Sequence, residues 1–163
     1  MARRSMLVYG IAFALLGAAC GGAAATNGGG SGQETVSVRS VAGVGNVYTD
    51  AQGMALYSPT QESNGAIMCT GSCTNIWIPL AAPASGTPTA ASGVNGNLGV
   101  LTRPDGTKQV TLDGAPLYRF YLDRSPGTVN GNGITDSFGG VMFSWRVESG
   151  SSVKSSGSGN YGY

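Results

Sequence analysis

Residues 108–121 read Lys108-Gln-Val-Thr-Leu112-Asp113-Gly114-Ala-Pro-Leu117-Tyr-Arg-Phe-Tyr121. Lys108-Gln-Val-Thr-Leu112 and Leu117-Tyr-Arg-Phe-Tyr121 carry β-branched and aromatic residues in runs of strand length. Between them Asp113-Gly114 is a pair that accepts positive φ, the usual centre of a tight turn. The segment therefore reads as strand, turn, strand.

The same grammar continues in both directions. Val100-Leu-Thr-Arg103 meets Pro104-Asp105-Gly106, where Pro presets φ and Gly accepts the left-handed region. Val36-Ser-Val-Arg-Ser-Val41 alternates with period two. Val47-Tyr48-Thr49 leads through the turn Asp50-Ala-Gln-Gly53 into Met54-Ala-Leu-Tyr57. Val141-Met-Phe-Ser-Trp-Arg-Val147 closes the series. Helical periodicity is hard to find. Gly, at 28 of 163 residues, is far above the usual ~7% and supplies turns. An all-β domain is expected.

The chain also repeats itself. Val47-Tyr-Thr-Asp50-Ala-Gln-Gly53-Met-Ala-Leu56-Tyr57 and Val110-Thr-Leu-Asp113-Gly114-Ala-Pro-Leu117-Tyr118 are each strand, Asp/Gly turn, then a strand carrying Leu-Tyr. Each copy then reaches a Trp in a β-like run, Trp77 or Trp145. Repeat one covers about 44–80 and repeat two about 98–147. The expectation is a small two-repeat β-meander or sandwich-like domain over 36–148. The Ala-, Pro-, Ser- and Thr-rich stretch 81–97 reads as a long loop. Residues 20–35 read as a flexible Gly/Ala/Ser linker and 149–163 as a disordered tail.

Residues 1–19 have the three parts of an export signal: Arg3 and Arg4, the apolar run from Met6 to Leu16, and small Gly17-Ala18-Ala19. The apolar run falls short of the ~20 residues of a membrane span. Leu15-Leu16-Gly17-Ala18-Ala19-Cys20 resembles a bacterial lipobox, in which Cys20 would be lipidated. Gly17 stands where that pattern prefers Leu. The alternative is ordinary cleavage, for instance after Ala25, giving a secreted or periplasmic soluble protein. Without Arg3 and Arg4 the nine basic residues fall to seven against eight acidic ones. That balance argues against nucleic-acid binding. Attachment would be to a membrane through the lipid.

The sequence has no His, which removes His-based triads, general bases and metal ligands. No Gly-x-Ser-x-Gly or phosphate-binding Gly loop appears, and the Asp residues sit mostly in turns. A catalytic role is not expected. Cys69 and Cys73 in an exported chain read as a disulfide closing a short loop. A redox-active or metal-binding pair is the rival reading, without the usual two-residue spacing.

Several motifs together resemble the secreted-repeat predicted lipoproteins, bacterial envelope proteins described by Tyr-x-(Phe/Trp/Tyr)-x-x-Asp. Tyr118-Arg-Phe120-Tyr-Leu-Asp123 fits that motif. Cys69-Thr-Gly-Ser-Cys73 and Trp77-Ile-Pro79-Leu80 are similar to the family's Cys-x-Gly-x-Cys and Trp-Pro-Pro-Leu stretches, with Ile78 for the first Pro. Tyr57-Ser-Pro59-Thr-Gln-Glu62 is the first-repeat counterpart, with Pro in the aromatic slot and Glu for Asp. That departure speaks against two equivalent sites. The resemblance implies an exported, envelope-attached protein of unknown activity.

Tyr57, Tyr118, Phe120, Asp123, Trp77 and Trp145 are thus the motif residues. On a strand, Tyr118 and Phe120 share a face, packing into the core with Asp123 capping the strand end. Alternatively they form an aromatic platform rimmed by Asp123 and Arg119, suited to a sugar face. Asp123, Asn130, Asn132 and Asp136 lie in a Gly-rich loop whose oxygens could serve Ca2+, without EF-hand spacing. The function expected is a non-catalytic binding or structural module for an envelope protein or glycan. Alternatives are an accessory in extracytoplasmic electron transfer and a calcium- or carbohydrate-binding secreted module.

Overall fold

The computed structural model describes residues 33–150. The signal, Cys20, most of the linker and nearly all of the tail lie outside the described residues. Ten strands run in chain order: β1 (Ser37–Val41), β2 (Gly45–Thr49), β3 (Tyr57–Pro59), β4 (Trp77–Pro79), β5 (Leu98–Thr102), β6 (Lys108–Leu112), β7 (Ala115–Pro116), β8 (Tyr118–Phe120), β9 (Thr135–Phe138) and β10 (Val141–Val147). A 3-10 turn, Thr60–Glu62, follows β3, and one short helix, α1 (Cys73–Ile76), precedes β4. The protein is almost entirely β, and its sheets are antiparallel.

Two hairpins are two- and three-stranded sheets of their own, β1-β2 and β5-β6-β7. The turns follow from their sequences. Leu112 pairs with Ala115, so the loop is Asp113-Gly114, with φ of 48° and 87°. Two positive φ values match the right-handed twist of the flanking strands. Between β5 and β6, Gly106 has φ 83° and Asp105 accepts the N–H of Thr107 at 2.9 Å.

The central sheet has the order β4-β8-β3-β10-β9. This corrects the expected meander, because strands of the two repeats alternate. β8 of the second repeat pairs with β4 and β3 of the first, and β3 pairs in turn with β10 of the second. Tyr57 lies directly opposite Tyr118. Equivalent residues paired antiparallel place a local two-fold axis between them. The flanking pairs obey it: Trp77 lies opposite Phe120, and Trp145 opposite Pro59, the equivalent of Phe120. Each repeat thus lends its Trp strand to the other repeat's Tyr strand.

The backbone sets the residue-by-residue alignment of the repeats. Tyr48 donates to Glu148 O and accepts from Leu56 N, while Val110 donates to Leu80 O and accepts from Leu117 N. Tyr48 is therefore the counterpart of Val110. The first turn, closed by Asp50 N–H donating to Met54 O, is one residue longer than Asp113-Gly114.

Alternation along the strands splits the interior in two. Tyr57, Tyr118, Phe120, Trp77, Trp145, Phe143 and Ile134 fill one core. Leu56 and Leu117, pointing the other way, pack with Val36, Tyr48, Val110 and Leu112 in a second. Three expected boundaries shift. Thr35 and Val36 already bond to Thr89, so the linker ends before Thr35. Ala81 and Ala90 within the 81–97 loop bridge to Gln109 and Val36. Ser149 bridges to Val47, so the folded part runs past 148.

Candidate functional site

The motif residues converge in the first core. Trp77 reaches it from β4 and Trp145 from β10. Their rings stack at 3.8 Å between centroids with planes 8° apart. Asp136, on β9 beside β10, takes both indoles: Oδ2 accepts Trp77 Nε1–H at 2.7 Å and Oδ1 accepts Trp145 Nε1–H at 2.8 Å. Tyr57 stands edge-on to Trp77 at 5.6 Å and Tyr118 edge-on to Trp145 at 5.3 Å. Phe120 and Phe143 cover the outer faces of the indole pair.

The tyrosine hydroxyls cross between repeats. Tyr57 donates to Asp123 Oδ2 at 2.6 Å, and Tyr118 donates to Glu62 Oε2 at 2.7 Å. The second oxygen of each acid holds backbone seven residues downstream. Asp123 Oδ1 accepts Asn130 N–H at 2.9 Å, and Glu62 Oε1 accepts Cys69 N–H at 2.5 Å. Glu62 therefore does occupy the place of Asp123 in the other repeat, despite the departure from the motif. The longer Glu side chain reaches the same partners from the 3-10 turn after Pro59.

The two halves differ in charge. Beside Glu62 and Tyr118 lies Arg103, 4% exposed, whose Nη2 donates to Cys69 O at 2.7 Å. Its Nη1 donates to Tyr118 Oη at 3.3 Å and to Gln109 Oε1. Arg103 reaches Glu62 only through the Tyr118 hydroxyl, and its Nε lies 3.8 Å from Asp105 Oδ2. Burial pushes the Asp123 and Asp136 carboxyls above the usual carboxylate range, against hydrogen bonds from Tyr57 and from the two indoles that pull them down. Burial, then the neighbouring carboxylate charges, push the Tyr57 and Tyr118 phenols far above their ordinary value.

Cys69 and Cys73 form a disulfide with Cα atoms 5.3 Å apart, and both residues are fully buried. Glu62, through its bonds to Met68 and Cys69 N–H, fixes the start of that loop. Sequence reasoning did not single out Arg103 or Gln109, and it read Glu62 only as a departure from the motif Asp. The repeat alignment held the signal for Glu62, which falls on Asp123.

Other expectations are corrected. The aromatic platform does not form, because Tyr118 and Phe120 are 0% and 1% exposed. Arg119 instead faces Asp50, with Nη1 3.4 Å from Oδ2. The four oxygen ligands suggested for Ca2+ do not converge. Asp123 holds Tyr57 and Asn130, Asn132 accepts Val147 N–H at 3.2 Å, and Asp136 holds the indoles. Residues 135–138 of that segment form β9 and not a loop. Among the described residues, no group of three or more His, Cys, Asp or Glu side chains is gathered to hold a metal ion. A shallow polar hollow of about 500 Å3 lies between β1 and the Asp50–Gly53 turn, lined by Ser37, Arg39, Ser40 and Gln52 among others.

These features define a disulfide-bearing, two-repeat β domain closed around a shared aromatic core. Residues 99–141, from β5 to the start of β10, match the family model Lipoprotein_15, described as a secreted repeat of unknown function. No curated protein and no solved structure matches the chain. A secreted repeat implies an extracytoplasmic protein, and the formed disulfide agrees with an oxidising compartment. Among the described residues no helix is long and apolar enough to cross a membrane.

Proposed function

We propose that the chain is an exported protein held at the cell envelope by a lipid on Cys20, and that its β domain serves as a non-catalytic binding or structural module. One observation carries the non-catalytic reading: Glu62, Asp123 and Asp136 are spent on donors of the protein itself. All three are also buried, so they present no acid or base to a bound substrate. The lipobox-like run ending in Cys20 and the near-neutral charge of the processed chain support attachment by lipid and not by electrostatics. An envelope protein or glycan is the partner class that location provides. An accessory role in thiol–disulfide exchange finds less support, because both cysteines are fully buried.

The test is fractionation of the native host expressing wild type and Cys20→Ala, with and without an inhibitor of lipoprotein signal peptidase. The expected result is membrane-bound wild type, precursor accumulation under the inhibitor, and release of the Cys20→Ala form. Equal membrane association of both forms, with no precursor, would overturn the anchor.

A further inference from the structure

The first core holds the ingredients of a one-electron relay. Tryptophan and tyrosine are the side chains most readily oxidised by one electron without sulfur chemistry. Here two indoles stack at 3.8 Å and 8°. That is closer than the roughly 4.5–7 Å usual for aromatic pairs. Such a stack spreads a positive charge over both rings. Both N–H groups point at the single carboxylate of Asp136, so the position where that charge would develop already faces an anion. Each indole meets one tyrosine, Tyr57 or Tyr118, and each phenol is hydrogen-bonded to a carboxylate at 2.6 or 2.7 Å. A tyrosine loses an electron readily only when its proton has somewhere to go, and here the acceptor is in place.

We propose that the Trp77–Trp145 pair, with Asp136 beneath it and the Tyr57–Asp123 and Tyr118–Glu62 pairs beside it, is a trap for one-electron oxidants met outside the cytoplasm. The oxidant class is a small radical, such as a peroxyl radical, which takes one electron from the indole pair and becomes its anion. Tyr57 or Tyr118 then refills the pair with one electron while its phenolic proton moves to Asp123 or Glu62. The products are a neutral tyrosyl radical and a protonated carboxyl. A phenol- or ascorbate-class donor restores the site: it gives one electron, the carboxyl returns the proton to the tyrosine, and the donor releases its own proton to water. The activity is independent of the lipid anchor.

The experiment is pulse radiolysis of the purified full-length protein with azidyl radical as the oxidant, followed by transient absorption. The wild type is expected to show an indole radical that converts to a tyrosyl radical. Its decay is expected to be independent of protein concentration, because a buried radical cannot meet its like. Tyr57→Phe/Tyr118→Phe is expected to stop the conversion and leave the radical on the indoles. Decay that speeds up with protein concentration and yields dityrosine would place the radical on surface tyrosines and overturn the proposal. The wild-type concentration series decides the matter even where a variant fails to fold. A conversion that is unchanged in the double variant would equally overturn it.

Discussion

Tyr118, in the second repeat, donates its hydroxyl to Glu62 of the first at 2.7 Å, while Glu62 Oε1 holds the backbone N–H groups of Met68 and Cys69. The bond is buried and its mirror, Tyr57 to Asp123, runs the opposite way. The repeats are therefore fastened by exchange of acceptors as well as strands.

Removing Glu62 strands two buried donors, Tyr118 O–H and Cys69 N–H, and frees the Met68 N–H beside them. Glu62→Ala is expected to cost about 3 kcal/mol or more, and Tyr118→Phe about 1–3 kcal/mol. Urea unfolding of both single variants and the double variant gives the coupling. Additive losses would contradict the linkage.

Burial raises the folded-state carboxyls of Asp123, Asp136 and Glu148 above their unfolded values. A raised group binds its proton more tightly when folded. Its contribution is fully present below the unfolded value of about 4 and is lost as pH rises through the folded value. Stability is expected to increase as pH falls from neutrality toward about 5. Asp123→Asn should flatten that slope in melts taken across the range.

Tyr57 and Tyr118 give the same sign at the alkaline end. Their raised folded values mean that stability is intact below about 10 and falls as pH climbs further. Ultraviolet titration is expected to show these two phenols ionising only as the protein unfolds. Reversible ionisation of every tyrosine in the folded state would count against their burial.

Gly131 sits under the aromatic cluster. A Cβ there would lie 2.9 Å from both Trp77 Cη2 and Tyr57 Cε1, rings that neighbours hold in place. Gly131→Ala is expected to cost about 1–3 kcal/mol by overpacking. Gly99→Ala, which meets the Thr111 hydroxyl at 2.8 Å, serves as the comparison. Thermal melts of the two variants give the ranking.

The disulfide is enclosed, so reductant is expected to act only through unfolding. Alkylation of Cys69 and Cys73 under native conditions should track the unfolding rate. The closed loop is short, and its loss in Cys69→Ala/Cys73→Ala is expected to cost about 2 kcal/mol of chain entropy. Rapid labelling of the folded protein would contradict the burial.

The local grammar was legible without coordinates. Asp113-Gly114 and Pro104-Asp105-Gly106 announce their hairpins because positive φ is a property of single residues. The run at 36–41 reads as a strand because period two is written in adjacent side chains, and those at 108–112 and 141–147 because β-branched and aromatic residues favour extended backbone. The Tyr57 and Tyr118 segments announce a repeat for the same reason. Which strand pairs with which was decided only by the tertiary structure. Backbone hydrogen bonds carry no side-chain label, so either repeat could have paired its Trp strand with its own Tyr strand. Exchange brings both indoles onto one carboxylate and each phenol onto the other repeat's acid. Burying those donors together satisfies them at once, and that is a property of the closed core and not of any segment within it.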